Sequence, residues 1–411
     1  MTKRLPVWIA AATATTAVLA MSVLLSGQVG AAPKWVTAWG TSQAALGDTG
    51  ISDATVRMIA RVTIPGQRIR IRLDNAYNTI PVTIAHAAVG HRVQAAAVAA
   101  GSTRALTFPG GSSVTIPANG SVWSDPIAMP VLAQQDLAIS LFIAGADVKP
   151  SQHTGAVVTS YRSADGSGDL VLTEARTPFT ATTTAMWWLK AIDVETDSSS
   201  SAVVAFGDSI TDGTCTTLDA HDRWEDIVSM RLTLLSNARK VAIVNEGIGG
   251  NTVTREGLTP PAASTPGIER FDRDVLGHHG VSHVVFFMGT NDINRAQSAA
   301  RVIDGLSSLI TRAKAGGMKT IGVTIVPRHQ MAAPNAPLPG WTPEKTAVRN
   351  EVNQWIRSKA PFDAVIDFDK VVRSPTDPNL FNPPFNCGDN IHPSPAGYFA
   401  MGSAVDLELF R

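Results

Sequence analysis

The stretch Ala202-Val203-Val204-Ala205-Phe206-Gly207-Asp208-Ser209-Ile210-Thr211-Asp212-Gly213 decides the fold. Its valine-rich run reads as a strand buried on both faces, as strands of a parallel sheet are. The run stops at Gly207-Asp208-Ser209 and gives way to turn residues, so Ser209 falls on the loop at the strand's carboxyl end. In open α/β sheets that edge is where ligands bind. A serine there is a candidate nucleophile, weak until a base takes its proton. The rest of the chain has to supply that base and donors for an oxyanion.

Downstream, strands and helices alternate, the mark of a parallel α/β sheet. Apolar runs predict strands at 241–245, 281–288, 320–326 and 364–368, and helical spacing marks 223–235, 299–315, 342–359 and 397–409. Upstream, 35–196 reads mostly as β. Arg68-Ile69-Arg70-Ile71-Arg72-Leu73 alternates polar and apolar, the period of a half-buried strand. Further strands are expected at 82–85, 113–116, 137–143, 157–161 and 185–194, which together suggest a sandwich or jelly-roll-like module. Trp187-Trp188 is expected in its core rather than on a sugar-stacking platform, and Arg68, Arg70 and Arg72 on a solvated face. The polar stretch Asp197-Ser198-Ser199-Ser200-Ser201 reads as a linker. The expected domains are 33–196 and 202–411.

A chain of 411 residues suits two domains. With 34 Lys plus Arg against 34 Asp plus Glu, no overall field favours nucleic acid or an anionic membrane. Lys3 and Arg4, the apolar stretch 7–25 and the small run Val29-Gly30-Ala31-Ala32 read as a secretory signal over 1–32. A retained membrane anchor is the other reading of that stretch. Export implies a secreted or periplasmic protein with no membrane attachment after cleavage. Cys215 and Cys387 are the two cysteines, one close after Ser209 and the other close before Asp389. If those loops meet, the cysteines meet too, and an oxidising compartment favours a disulfide over two free thiols.

Four loops carry residues of catalytic type: Ser209, Gly247-Ile248-Gly249-Gly250, Gly289-Thr290-Asn291-Asp292, and Cys387-Gly388-Asp389-Asn390-Ile391-His392-Pro393. Acyl transfer needs an imidazole to accept the serine proton, and His392 is the candidate. It needs a carboxylate to orient that ring, and Asp389 lies three residues away. The oxyanion needs donors, for which the backbone N–H groups of Ser209 and Gly250 and the Asn291 amide are suited. His278, His279 and His283 read as surface histidines rather than a zinc site. Asp212, Asp219, Asp222, Glu225 and Asp226 read as a solvated helix start rather than a metal site. Arg328-His329 falls on the catalytic edge as a candidate substrate contact. Neither a metal nor an organic cofactor is called for.

These four blocks resemble the SGNH (GDSL) hydrolase superfamily over 202–411. The resemblance implies a three-layer α/β/α, flavodoxin-like hydrolase with Ser209 as nucleophile, His392 as base and Asp389 as its partner. It implies an oxyanion hole of Ser209 N–H, Gly250 N–H and the Asn291 amide, with Gly247 or Gly249 as alternatives to Gly250. The first block departs from the family's Gly-Asp-Ser-Leu in reading Gly-Asp-Ser-Ile. The whole arrangement is similar to exported bacterial esterases with a β-rich N-terminal module, described as xylanase-associated or carbohydrate esterases. The expected activity is a serine esterase acting on short acyl groups such as acetyl on carbohydrate, small or polymeric. A lysophospholipase is the enzymatic rival, and a carbohydrate-binding protein with a vestigial hydrolase domain is the rival from another class.

Overall fold

Five parallel strands lie in the order Val241–Gly247, Ser201–Gly207, Val281–Phe287, Lys319–Val323, Ala364–Ile366. In chain order that is 2-1-3-4-5, the doubly wound order with its switch point beside the first strand. A computed structural model of the chain describes residues 1–2, 33–235, 240–329 and 340–410. The signal reading of 1–32 therefore falls almost wholly outside the described residues. Among the described residues no helix is long and apolar enough to cross a membrane.

The first strand is buried along its whole length. Val203 and Ala205 pack with Trp224, Val228, Phe368, Tyr398 and Met401. Ala202, Val204 and Phe206 enter a second core with Phe271, Leu306, Leu309, Val352 and Ile356. Alternate side chains of the strand thus enter two buried clusters, which is why it shows no polar alternation. Ala299–Ala315 is helical where expected: Ser298 caps it, accepting from the Arg301 N–H, and Val302, Leu306, Leu309 and Ile310 make its buried stripe. Pro343–Ser358 starts from the Thr342 cap with proline in its first turn.

Beside a three-stranded and a two-stranded sheet, the N-terminal region is built on two larger antiparallel sheets around the second core. One orders Lys34–Gly40, Leu189–Thr196, Gly66–Asp74 and Ser121–Trp123; the other is built on Ala54–Val62, Gln135–Ile143 and His86–Gln94. Ile69, Ile71 and Leu73 point inward as the alternation requires, and Trp187 and Trp188 are buried. The arginines between those positions depart from the solvated-face expectation. Arg70 donates twice to the Asp193 carboxylate, and Arg72 donates to the Gly277 carbonyl of the hydrolase region at 3.0 Å. Arg68 alone stays largely on the solvent side, facing Glu195.

The 197–201 stretch is a tight turn rather than a free tether. Asp197 accepts from Ser199 and Ser200, Ser200 is buried, and Ser201 already belongs to the first parallel strand. The regions it joins share one core, in which Val36 and Ala38 pack with Ala242 and Val244, and residues 33–411 form one compact unit. A charged cluster with no side-chain exposure for Lys190, Glu246, Arg270 and Asp274 crosses the seam. Lys190 Nζ lies 2.6 Å from Glu246 and 2.8 Å from Asp274. His278, read as a surface histidine, is buried and lies 2.6 Å from the other Glu246 oxygen; His283 is buried as well. His278 looks solvated in sequence because the strand that covers it, ending at Gly40, is distant in the chain, and His283 is covered by Phe410 near the other end.

Candidate active site

Gly207, Gly247 and Phe287 stand in register at the carboxyl ends of three adjacent strands, so the loops that follow emerge side by side. Ser209 opens the short helix Ser209–Asp212, with the Asp208 side chain capping it by accepting from the Ile210 N–H. Burial pushes the Asp208 carboxyl up to about 6.

Ser209 Oγ lies 2.8 Å from His392 Nε2, and His392 Nδ1 lies 2.5 Å from Asp389 Oδ2. The other Asp389 oxygen accepts from the Ile391 and His392 N–H groups, fixing the loop that presents the ring. Burial alone would raise the Asp389 carboxyl. The hydrogen bonds and charge of His392, with the Ile391 N–H, outweigh it and hold the group at about 2. A carboxylate depressed on folding stabilises the fold above its ordinary value, near 3.9, and loses that contribution as pH falls toward the folded value. The Asp389 carboxyl carbon resonance is expected to titrate at about 2 in the folded chain. An ordinary carboxylate titration there would mean the contact is not held in solution.

The cysteines bring the same two loops together. Cys215 and Cys387 form a disulfide with their Cα atoms 6.2 Å apart, closing 172 residues of chain. Tyr398 adds a second tie, its hydroxyl donating to the Thr214 carbonyl at 2.7 Å.

Three glycines competed for the oxyanion role, and hydrogen bonding separates them. The Gly247 N–H donates to Asn245 Oδ1 and the Gly249 N–H to Asp212 Oδ2, each at 2.8 Å. The Gly250 N–H has no partner among the described residues, and neither has that of Ser209. Gly250 sits at φ +71°, which favours glycine, and open space lies where a Cβ would stand. Asn291 donates one amide hydrogen to the Asn251 carbonyl at 3.1 Å, which places it against the Gly250 loop with a second hydrogen to spare. Asp292 anchors the following residues, accepting from Val253 N–H and from the Thr254 N–H and hydroxyl. The arrangement can move a proton from a hydroxyl to an imidazole and offer N–H groups to a developing negative charge.

Other readings change. Asp212 and Glu225 are buried, not part of a solvated helix start, and burial pushes the Glu225 carboxyl well up. Asp219 accepts from the Thr159 N–H and hydroxyl, and Asp226 closes the start of the Trp224–Thr233 helix. Arg328 is buried over the Trp341 ring, and its electrostatic neighbours include Asp208 and Asp389. Two groups that touch this site were not legible as part of it. Arg270 donates to the Gly207 carbonyl and to Asn251 Oδ1, and His153 reaches Asp212. Both meet the site only through long-range packing.

Residues 205–400 match the GDSL-like Lipase/Acylhydrolase family. No curated protein matches the chain. Among solved structures, it is similar to a carbohydrate acetylesterase family member from Sinorhizobium meliloti (18% identity, TM-score 0.38, 51% of this chain and 97% of that one). It is also similar to the M. smegmatis aryl esterase (20%, TM-score 0.39, 51% and 98%). A third is a GDSL-like lipase from Bacteroides thetaiotaomicron (20%, TM-score 0.35, 51% and 89%).

Proposed function

We infer, from the match of residues 205–400 to the GDSL-like lipase/acylhydrolase family and the geometry around Ser209, that Ser209 is the nucleophile of an exported serine esterase. The observation that carries this is the unbroken relay from Ser209 Oγ through His392 to Asp389. His392 accepts the hydroxyl proton as Ser209 attacks the ester carbonyl, then returns it to the leaving alcohol. Asp389 stays ionised, keeps Nδ1 protonated and stabilises the imidazolium. The Ser209 and Gly250 N–H groups and the Asn291 amide take the oxyanion, and water then releases the acyl group by the same route. We read the two buried clusters on the sheet as the two interlayer cores of the three-layer α/β/α form of this fold. The vestigial-domain reading has no support in a relay whose members are all present and in contact.

Asn291→Ala is expected to lower kcat by roughly 10²–10³-fold with KM little changed, as loss of one oxyanion donor does. An unchanged kcat would remove Asn291 from the role.

We assign the substrate to short acyl esters of carbohydrate. The leader-like 1–32 stretch and the Cys215–Cys387 disulfide support an oxidising compartment outside the cytoplasm. A cleft of about 370 Å³ on the N-terminal region is lined by Asp48, Gln152, Arg162 and Trp187. Its hydrogen-bonding side chains suit a sugar, while Trp187 at its floor belongs to the buried core. The test is a p-nitrophenyl ester series of rising acyl length, run beside acetate release from acetylated xylan. Activity highest on acetate with release from xylan is expected. A peak at long chains without acetate release would move the substrate to lysophospholipids.

A further inference from the structure

His153 lies on the strand Ser151–His153 of the N-terminal region, and its side chain is almost fully enclosed. Its Nδ1 is 2.8 Å from the Ser42 carbonyl oxygen. A carbonyl only accepts, so Nδ1 carries a proton. Its Nε2 is 2.9 Å from Asp212 Oδ1. With an acceptor at each end, the ring is satisfied as an imidazolium. Burial works against that charge, but the charge and hydrogen bond of Asp212, with the Ser42 carbonyl, outweigh it against a smaller opposing effect of Arg223.

Asp212 carries this contact into the catalytic edge. It ends the helix that Ser209 begins, and its second oxygen accepts the Gly249 N–H at 2.8 Å. The next N–H along the chain is the free one of Gly250. The socket is tight on one side: a Cβ on Gly247 would stand 2.3 Å from the Asp212 nitrogen. On the other side is a cavity of about 60 Å³ that His153, Asp212, Arg223, Glu225 and Asn245 help to line. That is room for water, and so for the Asp212 carboxylate to turn once its partner is gone. Arg223 holds only the Asp212 backbone carbonyl, at 2.8 Å, and so does not fix the carboxylate.

We propose that His153 is a positioning residue for ester hydrolysis, supplied by the β-rich region, which acts through Asp212 to hold the Gly249-Gly250 backbone where Gly250 N–H meets the oxyanion. This rests on the esterase reading of Ser209 and Gly250. The β-rich region then completes the catalytic site rather than only accompanying it. The alternative, a plain structural tie, predicts lost stability with unchanged turnover per folded molecule.

The test uses the full chain with p-nitrophenyl acetate, active sites being counted by stoichiometric labelling of Ser209 with a fluorophosphonate. His153→Ala is expected to lower kcat per active site by roughly 10–100-fold, the scale of a misplacement near 1 Å, with KM within about twofold. His153→Ala in an Asp212→Asn background should cost little more, because both act through one contact. If His153→Ala does not fold, His153→Gln, which keeps one donor, gives the same comparison. The ¹⁵N shifts of the His153 ring in the wild type give a readout independent of turnover, with both nitrogens protonated at neutral pH. Unchanged kcat in a folded variant, additive losses, or a ring with one bare nitrogen would each overturn the proposal. An inactive wild type would instead sink the esterase reading and the proposal with it, whereas an active wild type with an indifferent variant sinks the proposal alone.

Discussion

Ser209→Ala is expected to abolish ester hydrolysis, with kcat on p-nitrophenyl acetate falling by roughly 10³–10⁶-fold. The alanine removes the atom that forms the acyl bond, and water must then attack directly. It leaves the oxyanion donors in place, since the Ser209 N–H belongs to the backbone, so a small residual rate above the uncatalysed reaction is expected to survive. The fold should be indifferent to the change. Among the described residues the Ser209 hydroxyl has one hydrogen-bond partner, His392 Nε2, which lies in a part-exposed site where water can replace it. A melting temperature near wild type with activity lost separates a chemical role from a structural one. Near-wild-type turnover in this variant would refute the mechanism, because no other residue is asked to form the acyl bond.

The parts of the fold written in local pattern were legible, and the parts written in distant contacts were not. The first strand announced itself by a run of apolar residues ending at Gly207-Asp208-Ser209, and the helix at 299–315 by its stripe and its Ser298 cap. The candidate site residues could be grouped from sequence because each follows closely on a strand end or lies in the short Asp389–His392 span. Ala54–Val62 went unread as a strand because almost every residue in it is buried, which erases the alternation. The 185–194 reading missed the break at Trp188, where a positive φ of 54° separates Met186–Trp187 from Leu189–Thr196. His153 and Asp212 are 59 residues apart. Lys190 and Asp274 are 84 apart, and each looks in sequence like an ordinary solvated charge. A charge declares its burial only through its partners, and these lie across the seam.

That seam yields the largest expected stability effect. Asp274 accepts from Ser42, Lys190 and Arg270, and twice from Arg273. Lys190, Arg270 and Arg273 are thereby set against two carboxylates, Asp274 and Glu246. Asp274→Asn removes the carboxylate on which all three cations converge, leaving them Glu246 and the neighbouring Asp74, and turns amide hydrogens toward donors. Breaking one member of such a buried network typically costs about 3–5 kcal/mol. Lys190→Met leaves Arg270 and Arg273 balanced by the two carboxylates and fills the lysine's volume with an apolar chain, so its cost should be clearly smaller. Urea denaturation of the two variants beside wild type reads the difference, with Asp274→Asn at the lower midpoint. Asp274 is held well below the ordinary carboxylate range, and Glu246 is also lowered. Their contribution is therefore complete above the unfolded value, about 4, and is lost only as pH falls through the lower folded values. Equal midpoints for the two variants would mean that charge balance does not govern the seam. If the order holds, the consequence reaches the chemistry, because Arg270, held by Asp274, is also the group that grips the Gly207 carbonyl and Asn251. The strand end that presents Ser209 and the loop that presents Gly250 are then tied to the β-rich region by one set of charges.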